Sequence, residues 1–525
     1  MLVKILLLVV FFGVMVGVGI YCRKSAKDVN GFVLGGRSVG PWLTAFAYGT
    51  SYFSAVIFVG YAGQFGWKYG IASTWIGLGN AFIGSLLAWF VLGRRTRIMT
   101  QHLSSATMPE FFGKRFSSPS LKIGASIITF VFLIPYTASL YNGLSRLFEM
   151  AFGLDYTICI VVMAILTGIY VIAGGYMATA INDFIQGIIM IFGIVAVIAA
   201  VIMSKGGFTE ALTGLAKVTD EAVSTTPGAF NSFFGPDPLN LFGVVVLTSL
   251  GTWGLPQMVG KFYAIKSEDA VKKGTIISVI FALIVAGGCY FLGGFGRLFS
   301  DSIPLAENGI PVGGYDAIIP EMLSNLPDIL IAVVVVLVLS ASMSTLSSLV
   351  LTSSSTLTID LIKGAFVKKM SDKKQVLLIR MFVVVFIIIS ASIAIFQYKS
   401  SQTATSSNSA TFIAQLMGVS WGALAGAFLA PFLYGLYWKK TTKAACWASF
   451  IFGSVLMVAN MLFRSHFPAL LQSPINCGAF AMVAGLVIVP IISMFTPKPD
   501  KQLVDESFAC YEEKVSVSQK RSLTD

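Results

Sequence analysis

Residues 340–360 read SASMSTLSSLVLTSSSTLTID and follow directly on the apolar run ILIAVVVVLVL. On a helix, Ala341, Ser344, Thr345 and Ser348 fall at i, i+3, i+4 and i+7 and share a face, which Ser347 widens. Leu346, Leu349 and Val350 take the opposite side. A stripe of neutral oxygens on a greasy helix fits one chemistry well. A hard monovalent cation needs several oxygen ligands, and hydroxyls joined by free carbonyls replace its hydration shell without burying a full charge. The competing reading needs no ligand: Ser and Thr let membrane helices approach and bond to carbonyls one turn back. Asp183, in GGYMATAINDFIQGIIMIFG, is the second chemical candidate. An ionisable residue inside a span points to function, here as counter-charge to a cation on the hydroxyl stripe. Its alternative role is as a helix N-cap at the membrane interface.

The elements that must position these groups are membrane helices. Of the 525 residues 56% are hydrophobic and 11% charged, against about 25% charged in soluble domains, so the chain is an all-α polytopic membrane protein. Thirteen apolar runs are long enough to cross, at roughly 2–22, 40–65, 71–93, 123–150, 156–174, 180–203, 239–264, 274–297, 327–360, 376–397, 410–437, 442–463 and 475–496. The net charge of +12 raises the question of nucleic acid, but the charges sit where topology puts them. With the N-terminus outside, 27 of the 36 Lys and Arg lie in inner segments and 7 in outer ones, while the outer loops hold Asp301, Glu307, Asp316 and Glu321. The expectation is an N-out, C-in multi-pass protein of the cell membrane that binds no nucleic acid.

Two runs are broken by glycine: AYGTSYFSAVIFVGYAGQFG, and TSLGTWGLPQMVGK with its proline. They lie five helices apart and so run in opposite directions, which an inverted-repeat transporter predicts. The expected units are 1–38 (extra helix and inner loop), 39–204 and 239–437 (the two repeats), 438–497 (two further helices) and 498–525 (a charged cytoplasmic tail). Tyr52, Trp75, Tyr136, Tyr141 and Trp253 are candidate pocket aromatics. Asn80, Gln64, Asn142, Gln186, Gln415 and Asn460 are candidate helix–helix bonds or solute contacts. Six scattered cysteines without a CxxC pair read as inert core residues, and two histidines make a histidine metal site unexpected. The sequence holds no P-loop, HExxH or nucleophile elbow, so no enzymatic activity is expected.

The stretches GGRSVGPWLTAFAYGTSYFSA, NGLSRLFEMAFG, GGYMATAINDFIQG, TWGLPQMVGKFYAI and SMSTLSS, in that order, resemble the sodium:solute symporter family over about residues 30–440. The resemblance implies a five-plus-five inverted-repeat (LeuT-like) core after an extra first helix. It implies a first sodium site made by the carbonyls of Thr50, Phe53 and Ala341 and the hydroxyls of Ser344 and Thr345. It also implies a second sodium at Asp183, Ser347 and Ser348, with Ser344 nearby. Where the sodium/proline branch carries an aspartate this chain has Tyr52. Where the sialic-acid branch carries a threonine it has Ile57, and where the galactose branch has a gating tyrosine it has Thr252. Motif order and loop lengths lie closest to the proline-like branch. The expectation is therefore sodium-coupled import of a small organic solute, an amino acid such as proline or a carboxylate, by a monomer. Tyr52, Ser54, Tyr136, Thr252 and Trp253 would line its pocket. A sialic-acid or sugar symporter is the alternative of the same class, and a solute sensor or ion channel that of another.

Overall fold

The computed structural model describes residues 2–153, 155–303, 305, 311, 314–324, 326–367, 369–403 and 412–512. Glu307 and the last part of the expected tail, 513–525, lie outside the described residues. The principal helices are α1 (Leu2–Cys22), α2 (Pro41–Tyr52), α3 (Val56–His102), α4 (Pro119–Phe152), α5 (Tyr156–Ser204), α6 (Pro238–Gly254) and α7 (Pro256–Ala264). They continue with α8 (Glu268–Gly293), α9 (Asp328–Thr356), α10 (Asp372–Thr403), α11 (Ile413–Tyr437), α12 (Lys443–Leu462), α13 (Pro474–Phe495) and the short α14 (Lys501–Ala509). Among the described residues, 10 helices are long and apolar enough to cross a membrane, or 11 if the bent pair α6–α7 is one span.

Fewer than thirteen separate helices are counted because neighbouring apolar runs adjoin without an intervening loop. α5 covers 49 residues as two helices joined across a kink at Gly175, whose φ of 57° and ψ of −148° are not helical and which lies between the two expected runs. Only glycine adopts that conformation without strain. In α3, likewise, the chain turns at Gly70 (φ +60°) and stays helical on both sides.

The two glycine-punctuated runs do break. α2 ends at Tyr52, and Phe53 is extended (φ −83°, ψ 127°). α6 ends at Gly254, and Leu255 is extended in nearly the same way (φ −82°, ψ 120°) before α7 leaves at 45°. The second break has a local cause: a residue before proline is pushed out of the helical region, and Pro256 then opens α7 where its missing N–H costs nothing. The first has no proline. There the Ala55 N–H donates to Ser342 Oγ at 3.2 Å, so α9 supplies the partner that a continuous helix would have supplied.

Hydroxyl-rich α9 is central. It packs against α4, α5, α10 and α2, and 78% of its apolar window is buried, against 22% for α1. Both of its faces are interior: Leu346, Leu349 and Val350 are as buried as the hydroxyl face. α3 and α8 meet backbone to backbone. A Cβ on Gly66 would lie 1.9 Å from the Gly293 carbonyl oxygen, and one on Gly77 would lie 2.5 Å from Gly287 Cα. The six cysteines are buried and free, as core residues should be.

The tail is more ordered than its charge implies. α14 docks beside the ends of α3 and α11, where His102 bonds the Glu506 carbonyl at 2.9 Å and Lys439 pairs with Asp505 at 3.2 Å. Arg95 lies between the rings of Tyr437 and Tyr511, 4.1 and 4.5 Å from their centroids. The glycine contact yields a measurable expectation. Gly66→Ala should destabilise the protein by about 1–3 kcal/mol or more through overpacking. Gly17→Ala, with nothing within 4 Å, should not. Thermal unfolding in detergent distinguishes them, and equal melting temperatures for the two variants would refute the contact.

Candidate functional site

The break after Tyr52 faces the middle of α9. Thr345 Oγ1 lies 3.1 Å from each of three carbonyl oxygens, those of Thr50, Phe53 and Ala341. A hydroxyl has one proton to donate. Three carbonyls therefore converge on a group that can satisfy one of them fully, inside a region from which water is excluded. Four oxygens thus gather around one proton. They are the Thr345 hydroxyl and the Thr50, Phe53 and Ala341 carbonyls named for the first sodium, and the structure brings them together.

Ser344, also expected there, turns to the next cluster and donates to Asp183 Oδ1 at 2.7 Å. Asp183 is fully buried within α5, well past its N-terminus, so it caps nothing. Its other oxygen faces Lys261 Nζ at 3.7 Å. Lys261 is 3% exposed and donates to Ser348 Oγ at 2.9 Å, and Ser348 Oγ is 2.8 Å from Ser51 Oγ. The structure thus gathers Asp183, Ser344 and Ser348 as expected, but around an ammonium group. Ser347 stands apart, because its hydroxyl donates to the Ser344 carbonyl at 2.9 Å, the back-bonding role. Beside this cluster a cavity of about 50 Å³ is lined by Lys261, Ser348, Gln257, Tyr176 and Thr352.

Of the pocket candidates, Tyr52 and Thr252 line a cavity of about 10 Å³ with Asn80, Ser85 and Phe281, room for about one water. Tyr52, Ser54 and Tyr136 are buried and their hydroxyls make no bond of full hydrogen-bonding geometry, Tyr52 lying near Tyr290 and Tyr136 near Ser54 and Trp421. The rings of Tyr52 and Tyr136 each face Trp421 of α11, at 5.8 and 5.9 Å. Trp253 and Thr252 spend their donors on the helix packing instead. Trp253 Nε1 donates to the Ile83 carbonyl, and Thr252 Oγ1 lies within bonding distance of the Gly84 and Ser249 carbonyls, all at 2.9–3.0 Å. Several candidate amides are helix–helix bonds. Asn80 accepts from Ser249, Asn142 from Tyr156, and Asn460 donates to the Leu471 carbonyl. Gln64 lines a larger cavity of about 440 Å³ with Lys68, Asp237 and Asn240.

Four residues escaped the sequence reading. Lys261 could have been found, since it and Arg146 are the two basic residues left inside spans once the loops are counted. Asp360, at the end of the hydroxyl-rich stretch, is buried between Thr107 (2.5 Å) and Lys122 (3.3 Å). Ser51 and Trp421 carried no signal apart from their neighbours. Among the described residues no group of three His, Cys, Asp or Glu could hold a metal ion, consistent with a site built from neutral oxygens.

Comparison with known proteins identifies the family. The model of the sodium:solute symporter family matches residues 32–453. The osmoregulated proline transporter OpuE of Bacillus subtilis (strain 168) is 28% identical over 501 residues, covering 94% of each chain. A sodium/proline symporter of Staphylococcus aureus (strain JH9) is 28% identical over 507 residues, covering 95% of this chain and 93% of its own. Among solved structures, a Na+-coupled sialic acid symporter in a substrate-bound outward-open state aligns with a TM-score of 0.73 at 17% identity, covering 95% of this chain and 99% of its own. A manganese transporter of Eremococcus coleocola aligns at 0.53 with 14% identity, covering 87% and 95%. Both structural likenesses speak to the fold. With more than three quarters of its length matched by one family model and the carbonyl–hydroxyl cluster in place, this chain belongs to the sodium:solute symporter family.

Proposed function

We propose that the solute carried with sodium is L-proline or a similarly small amino acid, and that the sodium binds among Thr345 Oγ1 and the carbonyls of Thr50, Phe53 and Ala341. The observation that carries this is the single Thr345 proton set among three carbonyls at 3.1 Å. A cation there satisfies all of them at once. It also fastens α9 to the break in α2, and that break carries Tyr52 and Ser54 on the solute side. Ion and solute then favour the same arrangement, which is what coupling requires. Each sodium entering through 100 mV contributes about 2.3 kcal/mol to uphill uptake.

Proline as solute is supported by the named activity of the two relatives and by the wall itself. Tyr52, Tyr136 and Trp421 offer aromatic faces to an apolar ring. The buried hydroxyls of Tyr52, Ser54 and Tyr136, none held in a bond of full geometry, offer donors to a carboxylate. A polyhydroxylated sugar would call for a denser set of hydrogen-bonding side chains.

The finer architecture belongs to the same proposal. Thirteen crossings follow if α5 is two spans meeting at Gly175 and α3 is divided near Gly70. Residues 39–204 and 239–437 form inverted repeats, supported by the matching extended residues Phe53 and Leu255 at their broken helices. The N-terminus lies outside and the C-terminus inside the cell membrane, supported by the basic inner loops, and the monomer is the working unit.

Three outcomes are expected in proteoliposomes taking up labelled L-proline. Replacing external sodium by choline abolishes accumulation. Thr345→Ala raises the half-saturating sodium concentration about 10–100-fold, as loss of a charged-group contact worth about 1.5–3 kcal/mol dictates, while Thr345→Ser stays near wild type. Ser347→Ala leaves sodium dependence unchanged, because its hydroxyl is already spent on its own helix. Accumulation in choline, or wild-type sodium dependence in Thr345→Ala, would dismiss the assignment. On the solute side, Trp421→Ala should raise the half-saturating proline concentration about tenfold, from one lost aromatic wall of about 1.5 kcal/mol. An unchanged value removes Trp421 from the pocket.

A further inference from the structure

The cluster around Asp183 has the composition of a second cation site. A fully buried carboxylate accepts from the Ser344 hydroxyl, and Lys261 links it to the hydroxyls of Ser348 and Ser51. A free cation there would balance Asp183. The chain already supplies one: Lys261 Nζ donates to Ser348 Oγ at 2.9 Å, stands 3.7 Å from Asp183 Oδ2, and has the Tyr176 ring 5.3 Å away on another side. We infer that the Lys261 ammonium is a tethered second cation, holding the place of a second sodium, so that this symporter binds one sodium per chain. The inference rests on the sodium-coupled reading above, and deepens it by fixing the ion count.

Three features support this over an incidental ion pair. Asp183 and Lys261 are both buried, and a buried charge is tolerated only when paired. Lys261 comes from α7, just beyond the break at Leu255, whereas Asp183 and Ser348 come from α5 and α9. The ammonium therefore joins the second broken helix to the same face of α9 that the Thr345 cluster joins to the first. Finally, the Ser348 hydroxyl accepts from Lys261 and bonds Ser51, so the ammonium already takes a lone pair that a separate ion would need. A lysine cannot dissociate into the cytoplasm as sodium does. The site therefore contributes its charge to every state of the cycle and none to the gradient.

The test counts radioactive sodium bound to the purified full-length protein by scintillation proximity. Wild type should bind one ion per chain, lost in Thr345→Ala. Lys261→Met, which keeps the stem and removes the charge, should bind two. The added ion should survive in Lys261→Met/Thr345→Ala and vanish in Lys261→Met/Asp183→Asn. Should Lys261→Met fold poorly in choline because Asp183 is left unpaired, sodium should restore its melting temperature, and it should not do so for Lys261→Met/Asp183→Asn. Two ions on wild type, or none on a folded Lys261→Met/Thr345→Ala, would overturn the inference. A wild type that binds no ion while Lys261→Met binds one would remove the Thr345 site and leave the tethered cation standing.

Discussion

A carbonyl oxygen released from a helix within an apolar slab has to find a partner, because there is no water to supply one. The break after Tyr52 releases such oxygens, and nearly everything distinctive about this protein answers to them. α9 is placed where its Thr345 hydroxyl meets two of them, Thr50 and Phe53, beside the Ala341 carbonyl of its own helix. Ser342 reaches the Ala55 N–H on the other side of the break. The hydroxyl density of α9 is thus neither decoration nor simple packing. It matches the polarity that a broken neighbour exposes. One proton shared among three acceptors leaves a residual negative potential, and that residue of unsatisfied charge is what sodium can use.

The second cluster solves a different problem. Asp183 carries a full charge, and removing either partner of a buried pair is costly because the other is left bare. At 3.7 Å the ammonium and the carboxylate form a loose ion pair, and the shorter bonds run to serines on both sides. Hydroxyls of one helix thereby serve two neighbouring clusters, threonine in the neutral one and serine in the ionic one. A cation proposed for the neutral one could leave and return. The ionic one is bound covalently to the fold.

Much of this was legible in the residues. The stripe at 341–348, the glycine-rich breaks and the carboxylate in AINDF are patterns of type and spacing, while the pairing of Thr50 and Phe53 with Ala341 and Thr345 came from the family resemblance, and the structure brings those four oxygens together. What period alone does not resolve is direction. Ser344 and Thr345 are neighbours on one arc, yet one faces Asp183 and the other the carbonyls, since α5 and α2 lie on different flanks of α9. Lys261 was visible as a lysine in VGKFY but, beside a helix end, it passes for a side chain that snorkels to water. Only its neighbours show that it is interior. At Gly175 the two runs read from hydropathy adjoin across a kink, and hydropathy alone does not tell a glycine that redirects a helix from one that ends it.

The glycine seam between α3 and α8 bears on how such a molecule can move. Where main chains touch with no side chains between them, as at Gly66 and Gly293, neither helix can slip past the other by a turn without first lifting clear of it. The pair is therefore a single strut. Any rocking that opens one end of the protein and shuts the other has to be taken up at seams lined by deformable side chains, among them the aromatic contacts of Tyr52 and Tyr136 with Trp421.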